Sequence, residues 1–191
     1  MPSNSTREPT EDKPLRADAR RNRARVLDVA NEMFLAEGMS VPIDAIAERA
    51  GVGVGTVYRH FPTKEALFEA IMRQRIQDMI DKARSMADAA DPGAAFFEYF
   101  VDIVDQAETS KGVHEAMISA GFRFDERVGD LAAQMRDSLG VLLKRAQEVG
   151  AVRAGLTASD AKALMAGITE MRRMGGDRDL TLAVVLAGLR P

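Results

Sequence analysis

The chain reads as an all-α protein with a small N-terminal domain and a larger helical body. Three observations predict this. Apolar residues recur at three- and four-residue spacing, and no alternating run is longer than a few residues, so the period is that of a helix. Residues that start or stop helices fall at the ends of these segments, Pro42 and Pro92 at starts, Gly38 and Gly51 at stops. Hydrophobic residues make up 46% of 191, enough for a sizeable core without disulfides, and there is no cysteine to form them.

About nine helices are expected. Residues 1–18 are rich in Pro, Ser and charge and are assigned to a disordered tail. From about Arg20 to Glu37, Val26, Leu27, Ala30, Met33 and Phe34 share one face, and Gly38 ends the helix. A short helix follows from about Pro42 to Ala50, with Pro42 in its first turn and Ile43, Ile46, Ala47 and Ala50 inward. Residues 54–60 form a third, very short helix. A long one starts at Thr63 and carries Leu67, Phe68, Ile71 and Met72 inside. Beyond it, Asp91 caps a helix begun by Pro92, and a short piece covers about Val113 to Ala120. Residues 126–148 carry a stripe from Val128 to Ala146, Thr157 and Asp160 make a capping box, and a last helix spans about Leu180 to Leu189. The domains are therefore expected at 19–64 and 65–191.

The absence of cysteine removes thiolate nucleophiles and thiolate metal sites. No apolar run approaches the ~20 residues of a membrane span, and the polar start "MPSNSTREPTEDKP" has no apolar leader stretch, so a cytoplasmic location without membrane contact is expected. Net charge is −3, unevenly spread. Lys13 to Arg25 holds six basic residues against one acidic, while Glu65 to the end holds 16 basic against 20 acidic. A basic arm on an acidic body suits an anionic partner at one end; a solvated helix start is the plainer reading. Neither His60 nor His114 has a second histidine or a cysteine at ligand spacing, no carboxylates form a paired constellation, and no Ser/His/Asp set appears. No metal, cofactor or catalytic residue is expected.

The stretch "GVGVGTVYRHFPTKEAL", residues 51–67, carries the functional signal. It lacks the Lys-Ser/Thr of a phosphate loop and no strand precedes it, which speaks against a nucleotide site. Short helix, glycine turn and second short helix describe a helix-turn-helix, whose second helix lies in the DNA major groove. Ile46, Ala47, Val52, Val57 and Phe61 are the apolar positions that lock its two helices. Gly53 and Gly55 leave room for DNA to approach the helix start. Thr56, Tyr58 and Arg59 fall on the outer face, with His60 and Lys64 where phosphates would run and Arg21 in the basic arm.

The segments "IAERAGV" and "GTVYRHFPTKEALF" resemble the DNA-binding domain of the TetR family of transcriptional regulators, over Arg20 to about Ile71. The resemblance implies DNA contacts from Val54, Gly55, Thr56, Tyr58, Arg59, His60 and Lys64. Two positions depart from it: Gly53 stands where a Ser or Thr cap is usual. Val41 and Pro42 stand where a Thr is usual, leaving Ser40 as the nearest hydroxyl. In the second half, "DPGAA", "GAVR" and a late Gly-Asp are similar to the SbtR-like subgroup. For that half the resemblance implies a ligand-binding and dimerising domain.

The expected partners are thus a palindromic double-stranded operator, a second copy of the chain, and a small, mostly apolar effector. The expected role is that of a repressor released from DNA by this effector. The effector pocket is placed near Phe96, Phe100, Met117, Phe122 and Met135, with Arg123 or His114 as candidate polar anchor, although a surface position is the stronger reading of each. For any single one of these aromatics, plain core is the stronger reading from sequence. The dimer surface is placed on the last two long helices at Ala161, Leu164, Ile168 and Leu186, whose stripes also serve to close the monomer core. A helical interaction or metabolite-binding protein, its helix-turn-helix serving only packing, is the competing function.

Overall fold

The structure is a computed structural model that describes residues 12–119 and 121–191. Among these residues there are eight helices and no strand: α1 Asp12–Glu37, α2 Ile43–Arg49, α3 Val54–His60, α4 Lys64–Met86, α5 Pro92–Ser119, α6 Phe124–Glu148, α7 Ala158–Arg173 and α8 Arg178–Leu189. The all-α class is as expected. Two boundaries differ. Helix α1 begins at Asp12, inside the stretch assigned to a tail, and Pro14 falls in its first turn, where a missing N–H costs nothing. The pieces expected from Pro92 and from Val113 are one helix, α5; Gly112 sits inside it without breaking it. Residues 1–11, the rest of the expected tail, lie outside the described residues.

The chain divides into two compact units, one ending at Ile71 and the other starting at Met72. This is later than the expected boundary after Lys64, because the first turns of α4 bury Leu67, Phe68 and Ile71. In the first unit the core is the stripe Val26, Leu27, Ala30, Met33 and Phe34 of α1 against Ile43, Ile46 and Ala47 of α2 and Val57 of α3. Pro42 is not in the first turn of α2 but occupies its N-cap, with ψ 145 and no side-chain cap. The end of α2 is tightly made. Gly51, at φ 66, lets its N–H reach the carbonyl of Glu48 and the N–H of Val52 reach that of Ala47. A β-carbon is strained at that φ, which is why a glycine stands at this turn.

In the second unit, α5 packs on α6 and α7, and α7 on α6 and α8. Phe96, Tyr99, Phe100, Leu139, Leu142 and Ile168 fill the centre. Asp91 caps α5 through the N–H of Ala94 at 2.9 Å, Thr157 and Asp160 form the expected capping box, and Asp177 caps α8 at Leu180. Gly93 allows α5 to pass the α6–α7 loop: a β-carbon there would stand 2.5 Å from that of Ala151. Polar ties brace the helices. Arg73 holds Asp130 with two hydrogen bonds of 3.1 and 2.8 Å, and Glu108 on α5 accepts from Arg172 and Arg178 at 3.0 and 3.1 Å.

Candidate nucleic-acid interface

Two buried anchors set the presentation of α3. Val57 and Phe61 are four residues apart, share one face, and are 1% and 3% exposed. The remaining face must then point outward. Val54 is 42% exposed and Tyr58 46%, and Gly55, Arg59 and His60 are exposed beside them; Thr56 is half-buried. Among the described residues Arg59 and His60 enter no ion pair and the Tyr58 hydroxyl no hydrogen bond. A guanidinium, an imidazole and a phenol are thus available on one seven-residue helix. At its start, Gly53 occupies the N-cap at φ −63, ψ 136 without a side-chain cap. A β-carbon on Gly55 would meet nothing within 4 Å.

The other predicted contacts come from neighbouring elements. Lys64 opens α4, and its ammonium donates to the carbonyl of Met39 at 2.9 Å, which brings it beside Ser40 in the α1–α2 connection. Ser40 is exposed, and its hydroxyl makes only a long 3.4 Å bond to the carbonyl of Glu37. Arg21 is exposed on α1 and pairs with Asp18 one turn away. Sequence reasoning missed Arg23, which stacks over the Phe61 ring at 5.5 Å and so steadies the end of α3 from α1. Only its place in the basic arm signalled it.

The second unit holds a cavity of ≈ 440 Å³ among α4, α5, α6 and α7, within the size range of small-molecule sites. Met72, Ile76, Met79, Ile103 and Met135 form its apolar wall, and Arg75, Ser110, His114, Lys162, Thr169 and Glu170 its polar rim. A second lobe of ≈ 230 Å³ shares Met72, Ile76, His114, Met135 and Lys162 with it. Of the five residues predicted for a pocket, Met135 lines both lobes. Phe96 and Phe100 lie in the core at 0% exposure, and Met117 and Phe122 are buried outside the lining of either lobe. His114, one of the two suggested anchors, lines both lobes, and its burial lowers its pKa, favouring neutral imidazole. Arg123 is exposed and outside the lining.

The predicted dimer residues divide likewise. Ala161 and Ile168 are 0% and 1% exposed, packed in the protomer's own core, whereas Leu164 and Leu186 are half-buried. The spacing explains it: 161, 165 and 168 share the inward face of α7. The exposed stripe on these helices is Ala163, Gly167 and Met171 on α7 with Leu180, Val184 and Ala187 on α8.

Known proteins share this arrangement. Residues 26–71 match the family described as bacterial regulatory proteins of the tetR family, and residues 91–191 match the C-terminal domain of SbtR-like transcriptional regulators. The crystal structure of a TetR transcription regulatory protein from Mycobacterium vanbaalenii is similar at TM-score 0.79 and 42% identity, covering 93% of this chain and 100% of that one. A TetR transcriptional regulator from Streptomyces coelicolor follows at TM-score 0.72 and 30% identity, over 88% and 98% of the two chains. An HTH-type transcriptional regulator of Staphylococcus aureus is 32% identical over 75 residues, which is 39% of this chain and 40% of that relative's length. No described helix is long and apolar enough to cross a membrane. The chain, with a DNA-binding helix-turn-helix at one end and an SbtR-like domain at the other, belongs to the TetR family of transcriptional regulators.

Proposed function

We propose that the protein is a cytoplasmic, non-enzymatic repressor that binds a palindromic operator as a homodimer and leaves it when a small, mostly apolar ligand fills the cavity of the second unit. The observation that carries this is the outer face of α3, where Tyr58, Arg59 and His60 stand exposed because Val57 and Phe61 hold the helix from behind. A helix-turn-helix that served only packing has no use for such a face. In this reading Val54, Gly55, Thr56, Tyr58 and Arg59 meet base edges and nearby backbone. His60, Lys64, Ser40 and Arg21 meet phosphates, which position without specifying sequence.

One seven-residue helix offers too few contacts for high specificity, so two copies on a palindrome are expected. The second copy is placed on the exposed stripe of α7 and α8. There Leu180 and Val184 are 65% and 63% exposed, and the small residues Ala163, Gly167 and Ala187 permit close helix approach. The ligand acts only if it prefers the DNA-incompetent arrangement of the dimer. Half-buried Met72, Ile76, Met79 and Met135 leave apolar surface for it to cover.

Fluorescence anisotropy with the DNA upstream of the protein's own gene tests the reading. Specific binding should exceed binding to random DNA by at least about a thousandfold at physiological salt. Arg59→Ala should weaken it and blur the preferred sequence, whereas His60→Ala should weaken binding to all sequences alike. Equal binding to operator and random DNA refutes specific regulation. Sedimentation of a monomer at micromolar concentration refutes the dimer.

A further inference from the structure

Arg75 is an unusual lining residue. It stands on α4, partly buried, and one guanidinium N–H donates to the backbone carbonyl of Gln106 at 3.2 Å. A carbonyl carries no charge to offset the cation. Among the described residues no carboxylate oxygen lies within the 4.0 Å of an ion pair with Arg75. Its burial lowers its pKa, with no charged neighbour opposing the shift. The hydroxyl of Ser110 donates to the same Gln106 carbonyl at 2.7 Å, so cation and hydroxyl meet at one corner of the cavity, and His114 lies one turn further along α5. Lys162 adds a second cation to both lobes and Arg136 a third to the smaller one. Glu170 is the one carboxylate among the lining residues, and it forms no ion pair with Arg75.

Even a partly buried cation without a counter-ion costs free energy, and the wall around it is apolar. Both costs are removed by one kind of occupant. We infer that the cavity takes an apolar molecule bearing a single carboxylate, with the carboxylate seated on Arg75 and the hydrophobic body against Met72, Ile76 and Met135. This rests on the proposed ligand role of the cavity and specifies the chemistry of the ligand. A guanidinium with four N–H groups still unused matches the two oxygens of a carboxylate, whereas an amide of equal size offers one acceptor and no charge.

The test is displacement of a neutral apolar dye, N-phenyl-1-naphthylamine, from the full-length protein at neutral pH. Decanoate and decanamide are compared on wild type, Arg75→Gln and Arg75→Lys. Decanoate should bind wild type at least about tenfold more tightly than decanamide, the scale of a charge-assisted hydrogen bond. In Arg75→Gln the acid-to-amide ratio should fall to within about threefold. In Arg75→Lys, which keeps the charge, much of the preference should remain. Dye binding with equal displacement by acid and amide in wild type overturns the inference and leaves the ligand cavity standing. So does a preference that survives in Arg75→Gln. If neither dye, acid nor amide binds wild type, the ligand reading fails and the inference with it. Equal displacement by acid and amide in wild type overturns the inference even if Arg75→Gln does not fold.

Discussion

Gly55→Ala separates what α3 needs for folding from what it needs for DNA. Gly55 is the second residue of α3 and is exposed. The added methyl would meet nothing within 4 Å in the free protein. Its helical backbone suits alanine, which is better than glycine in a helix by up to about 1 kcal/mol. The free protein should therefore melt at the same temperature or up to about 4 °C higher. On DNA the account differs. If the start of α3 lies close enough for its backbone N–H groups to reach phosphate, the methyl enters a packed interface. Overpacking costs about 1–3 kcal/mol per site. A dimer carries two copies, so the loss becomes about 2–6 kcal/mol, or roughly thirtyfold to twenty-thousandfold in operator affinity. Differential scanning fluorimetry reads the first quantity and fluorescence anisotropy the second. Operator binding within about threefold of wild type would refute the close approach. A fall in melting temperature would refute the premise that the position is open.

Further outcomes follow from the second unit. Tyr99 is fully buried and its hydroxyl has no hydrogen-bond partner among the described residues, so Tyr99→Phe should raise stability by about 1 kcal/mol in denaturant titration. Burial pushes the Tyr99 phenol up to about 12, above the ~10 of an unfolded chain. The neutral form is favoured in the fold, so this contribution is full below pH ~10 and is lost as pH rises toward about 12; Tyr99→Phe should flatten that alkaline decline. Two glycines of α5 should respond in opposite directions. Gly112→Ala, with open space for its methyl, should stabilise by about 0.5–1 kcal/mol. Gly93→Ala, whose methyl would stand 2.5 Å from the β-carbon of Ala151, should destabilise by about 1–3 kcal/mol. Thermal melts of the two variants side by side check both.

Much of the architecture is local and therefore legible in the chain itself. Thr157 with Asp160, Asp91 with Pro92, and Gly51 after Ala50 are signals that act within four residues, and the structure uses each of them. The piece expected from Val113 is continuous with the helix from Pro92 because the propensity cost of Gly112 is small against the packing of a 28-residue helix. The outward placement of Tyr58 and Arg59 was legible for a related reason: once Val57 and Phe61 are assigned inward, the helical period leaves only one face for the others. The cavity was not legible. Phe96 and Met72 are both apolar residues on helical stripes, and only the third dimension shows that the first is enclosed while the second borders empty space. On α7, apolar and small residues occupy both faces. Periodicity alone therefore did not reveal that Ala161 and Ile168 turn inward and Ala163 and Gly167 outward. The bond from Lys64 to Met39 spans 25 positions and leaves no local signature.

That bond has a kinetic and entropic consequence for a residue proposed to touch phosphate. A free lysine side chain explores many rotamers, and fixing it costs up to about 2 kcal/mol. In this protein the ammonium is already held by the Met39 carbonyl, so that ordering takes place during folding and not at the moment of DNA encounter. Two of its three N–H donors stay available, and the carbonyl does not neutralise them. A lysine held in this way meets DNA as a preset positive charge with little entropy left to lose. An arginine in its place keeps the charge but not the tether's geometry, so Lys64→Arg is not a conservative exchange.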